Sequence, residues 1–410
     1  MDLDREINRE LLSLFCDIDD ICFYNQQKVV FAMQKHNLAD SHFTYASGYG
    51  YGDVGRDVLE EIFADIFGAE EAICRPQIVS GTHALSLTLF ANLEKGDKLV
   101  SISGKPYDTL LGVIGIRKTK GSLIEKGVLY KEIPLKDDMY FDIDAIKNQV
   151  DKDTKMCILQ RSKGYSTRRT LTVEEINEAI KVIKEINENI IVMVDNCYGE
   201  FVEKYEPSDY LADLTVGSLI KNPGGGLAPI GGYVVGKSEY IENVAIALTA
   251  PGLGKEVGAS LGIAQTLLHG LFLAPSVTRN AIKNSLYASL LFEKLGFSVT
   301  PTIREKRACI VQAIIFNNPE LLIAFCEGIQ KSSPVDSHVV PVPWDMPGYD
   351  NQVIMAAGAF VQGSSIELSA DAPIREPYVA FMQGGLTFEH GRFALLNTVK
   401  YMMDKGLIKL

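Results

Sequence analysis

Residues 190–200, IIVMVDNCYGE, decide the fold. Their first five residues are apolar without interruption, which is typical of a strand buried on both faces of a parallel sheet, and Asp195 closes the run. Similar but shorter runs predict further strands at 72–79, 98–102, 156–160, 214–217 and 231–235. Between them, helical spacing predicts helices at 56–67, 82–93, 107–115 and 173–187. This alternation predicts an α/β fold, with a mostly parallel sheet covered by helices on both faces.

The two ends of the chain differ from this central pattern. Residues 1–40 predict a helix, and 41–53 predict an irregular loop because glycines alternate with tyrosines there. Residues 255–296 predict two helices, the second from 276 to 295. After Gly296 we expect shorter strands, at 297–299, 309–316 and 366–369, with several helical stretches between them, the clearest at 320–330. The sequence predicts three parts. Residues 1–55 form an N-terminal helical segment with a subunit-contact loop, residues 56–296 form a large α/β domain, and residues 297–410 form a small α+β domain.

The composition limits the class of protein. The 410 residues are 47% hydrophobic and 22% charged, as in soluble globular proteins. The net charge of −12 argues against nucleic acid or an anionic membrane as the main partner. Seven scattered cysteines predict reduced thiols, and dispersed histidines predict no metal site. We expect a cytoplasmic protein, because no signal core or bilayer-spanning apolar run is present.

Lys221 and Asp195 suggest the chemistry. Lys221 precedes a glycine cluster at 224–226 and follows Ser218 by three residues. A pyridoxal phosphate (PLP) enzyme needs a lysine that forms a Schiff base with the cofactor and a carboxylate that keeps the pyridine nitrogen protonated. We expect the glycines to keep the surroundings of Lys221 open and burial to lower the pKa of its amine.

Two further strand ends belong to the same edge of the predicted sheet. Ser80, Gly81 and Thr82 open a helix, where backbone N–H groups and the helix dipole favour a phosphate. An ordinary N-cap by Ser80 or Thr82 is the alternative. Tyr107 follows the next strand and could stack on a cofactor ring.

The order Ser-Gly-x-x-Ala, Tyr, Asp, Ser-x-x-Lys resembles the cystathionine/methionine lyase group of fold-type-I PLP enzymes. The chain most resembles the cystathionine β-lyase-like "aluminium resistance" proteins, also grouped as methionine γ-lyase-like. Three stretches carry the resemblance, which covers nearly the whole chain: 195–201, 217–226 and 362–375. It implies a large, mostly parallel, seven-stranded sheet domain with a smaller C-terminal α+β domain.

The resemblance also implies roles for individual residues. Lys221 would bind PLP covalently and shuttle protons, with Asp195 on the pyridine nitrogen and Tyr107 over the ring. The phosphate would lie against Ser80, Gly81, Thr82 and Ser218, and Tyr49 and Tyr51 would complete the cofactor site of a neighbouring subunit. Arg375 would clamp the substrate carboxylate; a surface ion pair with Glu376 is the alternative. A homodimer or homotetramer with shared active sites is therefore expected.

The sequence departs from the group in one loop. Other members carry a Tyr-x-Arg pair that reaches a neighbouring subunit's phosphate, whereas residues 45–53 contain no arginine. Arg56 follows but is expected to lie in the next helix. The loop has no evident use within its own subunit.

The function expected from these features is carbon–sulfur bond cleavage in a sulfur amino acid by α-proton abstraction and elimination. The sequence does not decide whether the substrate is cystathionine, methionine or cysteine, or whether the reaction is a β- or a γ-elimination. Two other functions stay open: a PLP-dependent aminotransferase, and a PLP-binding accessory or regulatory protein with little turnover. A nicotinamide dehydrogenase is disfavoured because no Gly-x-Gly-x-x-Gly follows a first strand.

Overall fold

The computed structural model describes residues 2–137, 139–346 and 349–409. In these ranges the larger sheet has seven strands: β1 (Glu71–Arg75), β2 (Lys98–Ser101), β3 (Leu129–Glu132), β4 (Thr154–Gln160), β5 (Ile191–Asp195), β6 (Leu214–Ser218) and β7 (Gly232–Gly236). Their order is β1-β7-β6-β5-β4-β2-β3. β3, β2, β4, β5 and β6 are mutually parallel, and β7 runs antiparallel to its neighbours β1 and β6. The predicted mostly parallel sheet is confirmed.

The described helices are α1 (Asp2–Lys35), α2 (Val54–Ile66), α3 (Gly81–Asn92), α4 (Asp108–Ile114), α5 (Ile143–Gln149), α6 (Val173–Ile186), α7 (Ser238–Leu248), α8 (Ala264–Lys294), α9 (Pro319–Lys331) and α10 (Phe388–Asp404). Among the described residues, none of these helices is both long and apolar enough to cross a membrane.

Strand β5 shows why its run of apolar residues is unbroken. Ile191 and Met193 pack into the core on one face of the sheet, with α3 and α7. Val192 and Val194 point to the opposite face and pack against α6. Because successive side chains of a strand alternate between faces, a strand covered on both sides needs apolar residues at every position.

The smaller sheet lies C-terminal to α8. Its described strands are β8 (Ser298–Thr300), β9 (Gln312–Ile315), β10 (Val353–Ala356), β11 (Ser369–Pro373) and β12 (Val379–Gln383). They are ordered β10-β11-β12-β9-β8 with antiparallel neighbours throughout. One face packs with α1, α8, α9 and α10 in a shared core.

Helix α8 corrects one prediction. Residues 255–296 were expected to form two helices, the second from 276, but α8 runs without a break from Ala264 to Lys294 with Pro275 inside it. A proline inside a helix costs about 3 kcal/mol. Apolar side chains on both sides of Pro275 are buried, including Leu271, Ala274 and Ala281. Burial of one large apolar side chain contributes about 1.5–3 kcal/mol, so packing along the helix outweighs the proline.

Several strand boundaries also differ from prediction. β1 ends at Arg75 rather than at residue 79, because Pro76 has no N–H for the ladder. The strand expected at 366–369 begins only at Ser369. Residues 41–43 were expected to be irregular and instead belong to a short 3-10 turn, Asp40–Phe43. Three strands (β3, β10 and β12) and three helices (α5, α7 and α10) lie outside the ranges predicted for individual elements.

Candidate active site

Asp195 lies at the edge of the large sheet where the parallel strands end. It is the last residue of β5, opposite Gln160 on β4 and Val216 on β6. Its side chain is 8% exposed and accepts a hydrogen bond of 3.1 Å from the backbone N–H of Cys197. Burial raises the pKa of Asp195, while the charge of Lys221 opposes that shift. The carboxylate therefore faces a cation at the position where open α/β sheets bind ligands.

Lys221 follows β6 by three residues and points to the same edge. Its Nζ lies 3.9 Å from the centroid of the Tyr198 ring, and the next residues form a 3-10 turn, Asn222–Gly224. Burial alone would lower the pKa of Lys221, but the acidic groups around the amine, chiefly Cys197, Tyr198 and Asp195, raise it above its ordinary value. The expectation that the pKa of Lys221 would fall was wrong, because its acidic neighbours outweigh desolvation.

The glycine cluster does not leave open space. A Cβ on Gly224 would lie 2.0 Å from the carbonyl oxygen of Leu219, and one on Gly225 would lie 2.2 Å from that of Gly270 in α8. A Cβ on Gly226 would meet the Leu386 side chain at 2.4 Å. The expectation of open surroundings was wrong: these glycines allow the lysine turn to pack directly on the backbone of α8.

A cradle forms where the start of α3 meets the end of β6. An added Cβ on Gly81 would lie 3.1 Å from Cβ of Ser218 and 3.6 Å from Sγ of Cys197. The hydroxyls of Thr82 and Thr109 are 2.9 Å apart. Ser80 is the N-cap of α3 and accepts from the N–H of His83 at 3.1 Å, so the N-cap alternative holds for its side chain. The structure thus brings together hydroxyls and a helix N-terminus, a donor set suited to a phosphate.

An aromatic cluster borders the site. The hydroxyls of Tyr107 and Tyr349 are 2.8 Å apart, and the Tyr165 ring lies 5.7 Å from each of their rings. Tyr198, beside Lys221, exchanges a hydrogen bond of 2.9 Å with Ser365. Burial raises the pKa of Tyr107 well above its ordinary value. These phenols are therefore neutral, and can donate or accept hydrogen bonds.

Two further carboxyl groups lie near Lys221. Glu200 is buried and accepts a hydrogen bond of 2.8 Å from Tyr233, and burial raises its pKa to about 8. Asp371 on β11 accepts from Gln383 at 3.0 Å, and burial raises its pKa while Lys221 opposes that shift. The lysine amine is thus surrounded by several acids rather than paired with Asp195 alone.

Arg375 lines an adjoining cavity of about 360 Å³, which Tyr107 and Gln160 also line. Its guanidinium donates one hydrogen bond of 3.1 Å to the backbone carbonyl of Tyr165 and is otherwise exposed. In the described residues it forms no ion pair with Glu376, so that alternative is not supported. The arginine is therefore placed to meet a ligand that enters past Tyr107.

Tyr49 and Tyr51 do not join this site within their own subunit. They are 76% and 64% exposed, and their rings lie 5.7 Å apart. Their loop packs on residues 257–260: the N–H of Gly258 donates to the Tyr49 carbonyl at 2.9 Å, and the N–H of Ser260 donates to Asp53 at 2.6 Å. The loop therefore has a structural use in its own subunit, contrary to expectation. Arg56 lies in α2 as expected, and donates to the Gly50 carbonyl at 2.9 Å.

Tyr165, Tyr198, Tyr349, Asp371 and Glu200 were not predicted as site residues. Tyr198, Glu200 and Asp371 fall inside stretches that carry the family resemblance, so a signal for them exists in the sequence. Tyr165 and Tyr349 lie in loops without a pattern that would identify them.

Several known proteins are similar to this chain in sequence and in structure. A Bacillus subtilis protein known as uncharacterized protein YnbB is 49% identical over 405 residues, which are 98% of this chain and 96% of that protein. A Clostridium acetobutylicum structure, named as a candidate cystathionine beta-lyase involved in aluminum resistance, is 48% identical with a TM-score of 0.95, and the match covers 98% of this chain and 95% of that one. A Clostridium novyi NT structure, named carbon-sulfur lyase involved in aluminum resistance, is 46% identical with a TM-score of 0.94 and the same coverage.

More distant structures share the fold alone. One is the pyridoxal-5'-phosphate dependent protein YhfS of Escherichia coli, at 15% identity and a TM-score of 0.65, with 94% of this chain and 97% of that one covered. The fold is that of the fold-type-I PLP enzymes, as predicted. The family model described as methionine gamma-lyase matches residues 1–403, and the chain belongs to that family.

Proposed function

We propose that this protein is a PLP-dependent carbon–sulfur lyase that acts on a sulfur amino acid by α-proton abstraction and elimination. The observation that carries the proposal is that Lys221 and the buried Asp195 both lie at or just after strand ends of the sheet, beside the cradle at Gly81: Lys221 lies over the Tyr198 ring, and Asp195 accepts from the N–H of Cys197. Membership of the methionine gamma-lyase family supports it.

The residues present fit the cofactor. The cradle at Gly81 and Ser218 has no room for a Cβ on Gly81 without a shift of its neighbours, and hydroxyl donors stand beside it. Ser80, Gly81, Thr82 and Ser218 would hold the phosphate, and Tyr107 would lie against the ring. Bound PLP would supply an electron-accepting ring that stabilises negative charge at the substrate α-carbon.

Each remaining residue has a role of its own. Lys221 would hold the cofactor covalently and, once displaced, remove the proton at the α-carbon as general base. Asp195 would keep a proton on the pyridine nitrogen, since its carboxylate is buried and faces a cationic neighbour. Arg375 would bind the substrate α-carboxylate through two parallel N–H donors.

Assembly of identical subunits is part of the proposal. The exposed rings of Tyr49 and Tyr51 lie on one loop, and Val79, directly before Ser80, is 61% exposed. Exposed apolar groups beside a site are typical of a surface that a partner covers. A second copy of this chain would bring Tyr49 and Tyr51 to the phosphate end of its neighbour's site. Sedimentation of the purified protein tests this: a dimer or tetramer is expected, and a stable monomer would contradict it.

The test of the activity is spectroscopic and chemical. The purified protein, supplied with PLP, should be yellow, and Lys221→Ala should lose the absorbance of the lysine-bound form. The exposed Lys400→Ala should keep it. Incubation with sulfur amino acids should release ammonia and a keto acid.

Other products would overturn the proposal. New amino acid formed from added α-ketoglutarate would indicate an aminotransferase instead. Bound PLP without turnover of any sulfur amino acid would favour an accessory role. A protein that stays colourless with PLP would contradict the cofactor assignment itself.

A further inference from the structure

Residues 349–352 cross from the smaller sheet to α4, which packs on the larger sheet, and we call this segment the strap. The strap leads directly into β10, and the backbone N–H of Ile374, just after β11, donates to the Gln352 carbonyl at 2.8 Å. The N–H of Val353 also donates to the Trp344 carbonyl at 3.0 Å. The C-terminal end of the strap is therefore fixed to the smaller sheet.

The strap holds both ends of α4. The hydroxyl of Tyr349 lies 2.8 Å from that of Tyr107, which is the N-cap of this helix. The next residue, Asp350, accepts a hydrogen bond of 3.0 Å from the guanidinium of Arg117, which follows the C-terminal end of the helix. A seven-residue helix is about 10 Å long, so these are two separate points of attachment. Together they set the position of α4, and with it Tyr107, relative to the smaller sheet.

The two attachments differ in how strongly solvent screens them. The side chains of Arg117 and Asp350 are 32% and 66% exposed, and exposed ion pairs contribute little. Tyr107 and Tyr349 are half-buried, and the Tyr165 ring lies 5.7 Å from each of their rings. A hydrogen bond inside such a cluster is less screened. Among the described residues, Tyr349 is the hydrogen-bond partner of the Tyr107 hydroxyl, so without it packing contacts alone would hold the Tyr107 ring.

We propose that Tyr349 is a positioning residue for the reaction and that it acts through Tyr107. This inference rests on the proposed function, in which the Tyr107 ring lies against PLP. An aromatic side chain has two rotatable bonds and can turn away from a flat ligand, whereas the hydroxyl bond to the strap restricts that rotation. A ring that is held in place before the ligand arrives binds it with a smaller loss of entropy. The strap thereby links the contact with the cofactor ring to the smaller sheet.

The test is a double-mutant cycle on PLP affinity. Titration of the cofactor-free protein with PLP, followed by visible absorbance, gives Kd for the wild type, Tyr349→Phe, Tyr107→Phe and the double variant. Each substitution keeps the ring and removes one hydroxyl. Tyr349→Phe should raise Kd about 3- to 10-fold, the range of one neutral hydrogen bond. In the Tyr107→Phe background the same change should leave Kd unaltered, because the partner hydroxyl is absent.

Tyr401→Phe is the matched control. It removes a hydroxyl that donates to Glu327 at 2.8 Å and that lies on α10, outside the site. Tm of the cofactor-free protein should fall by no more than a few degrees in both Tyr349→Phe and Tyr401→Phe. Kd for PLP should rise in Tyr349→Phe alone. An equal rise in Tyr401→Phe would overturn the proposal, because it would show a general loss of stability rather than an effect through Tyr107.

Asp350→Asn tests the other attachment of the strap. It should raise Kd less than Tyr349→Phe does, relative to the wild type in the same buffer. Any rise should disappear in about 1 M salt, where the Debye length is about 3 Å. A rise larger than that of Tyr349→Phe would overturn the assignment of Tyr349 as the residue through which the strap acts.

The outcomes separate this inference from the proposed function. If the wild type binds no PLP, the proposed function fails, and this inference fails with it. If the wild type binds PLP with a Kd that Tyr349→Phe does not change, this inference alone fails. A rise in Kd of the same size in the Tyr107→Phe background would also overturn it, since Tyr349 would then act by a route other than Tyr107.

Discussion

Gly81→Ala is the change that tests the cofactor cradle most selectively. Gly81 is the first residue of α3, and its backbone does not need the left-handed conformation that favours glycine. A new Cβ would lie 3.1 Å from Cβ of Ser218 and 3.6 Å from Sγ of Cys197. The methyl group would thus press on the Ser218 side chain, which we expect to help hold the phosphate, and would require only a small shift of its neighbours.

The expected effects on folding and on PLP binding differ in size. Alanine stabilises a helix by up to about 1 kcal/mol relative to glycine, which offsets the close contact with Ser218. We therefore expect Tm of the cofactor-free protein to change by no more than a few degrees, because about 1 kcal/mol corresponds to about 2–4 °C in larger domains. Loss of one phosphate contact, at about 1.5–3 kcal/mol, should weaken PLP binding about 10- to 100-fold.

Two assays separate these effects. Thermal unfolding of the cofactor-free protein measures stability, and titration with PLP followed by visible absorbance measures Kd. Gly112→Ala is the matched control, since Gly112 lies inside α4 and its new Cβ would meet only Thr119, at 3.3 Å. PLP affinity in Gly81→Ala equal to that of the wild type would refute the placement of the phosphate.

Further variants test the electrostatics and the loop. Asp195→Asn should keep bound PLP but lower kcat about 100-fold or more, because the pyridine nitrogen loses its carboxylate partner; unchanged kcat at full PLP occupancy would contradict its role. Burial raises the pKa of Glu200 from 4.5 to about 8, so the stability linked to this group is present below pH 4.5 and is lost as the pH rises through about 8. The free energy of unfolding of Glu200→Gln, measured in urea, should therefore rise relative to that of the wild type as the pH rises from 4.5 to about 8. A difference between the two proteins that stays constant over this range would contradict the role of Glu200. Asp53→Ala removes the side chain that accepts from Arg56 and Ser260, and should lower the free energy of unfolding by about 1–3 kcal/mol; a loss well below this in urea unfolding would show that these bonds do not hold the loop.

The central sheet could be predicted because its strands are buried on both faces. In β5 every residue before Asp195 is apolar, and the pattern alone defines the strand, its burial and the polar residue that ends it. Asp195 and Lys221 could be predicted to lie at the same edge of the sheet, because each comes at or just after the end of a parallel strand and these ends meet at one edge. The observed strand order then places Gly81 against Ser218, although 137 positions separate them in the sequence (218 − 81).

Long-range packing set the features that could not be predicted. The pKa of Lys221 depends on acidic groups of residues 195–200, which lie more than 20 positions before it in the sequence, so its sequence neighbourhood gives the wrong sign. Pro275 looks like a helix break until the burial of both flanks of α8 is known. Tyr349 reaches Tyr107 from a loop of the C-terminal part, and nothing in residues 349–352 indicates that contact.

Borohydride reduction is the most direct test of the central claim, which is a covalent bond between Lys221 and PLP. The purified protein would be loaded with PLP, reduced, digested and mapped by mass spectrometry. We predict a pyridoxyl group on the peptide that contains Lys221 and no other modified lysine at equal occupancy. A label on a different lysine, or no label in a protein shown to be folded, would contradict the account.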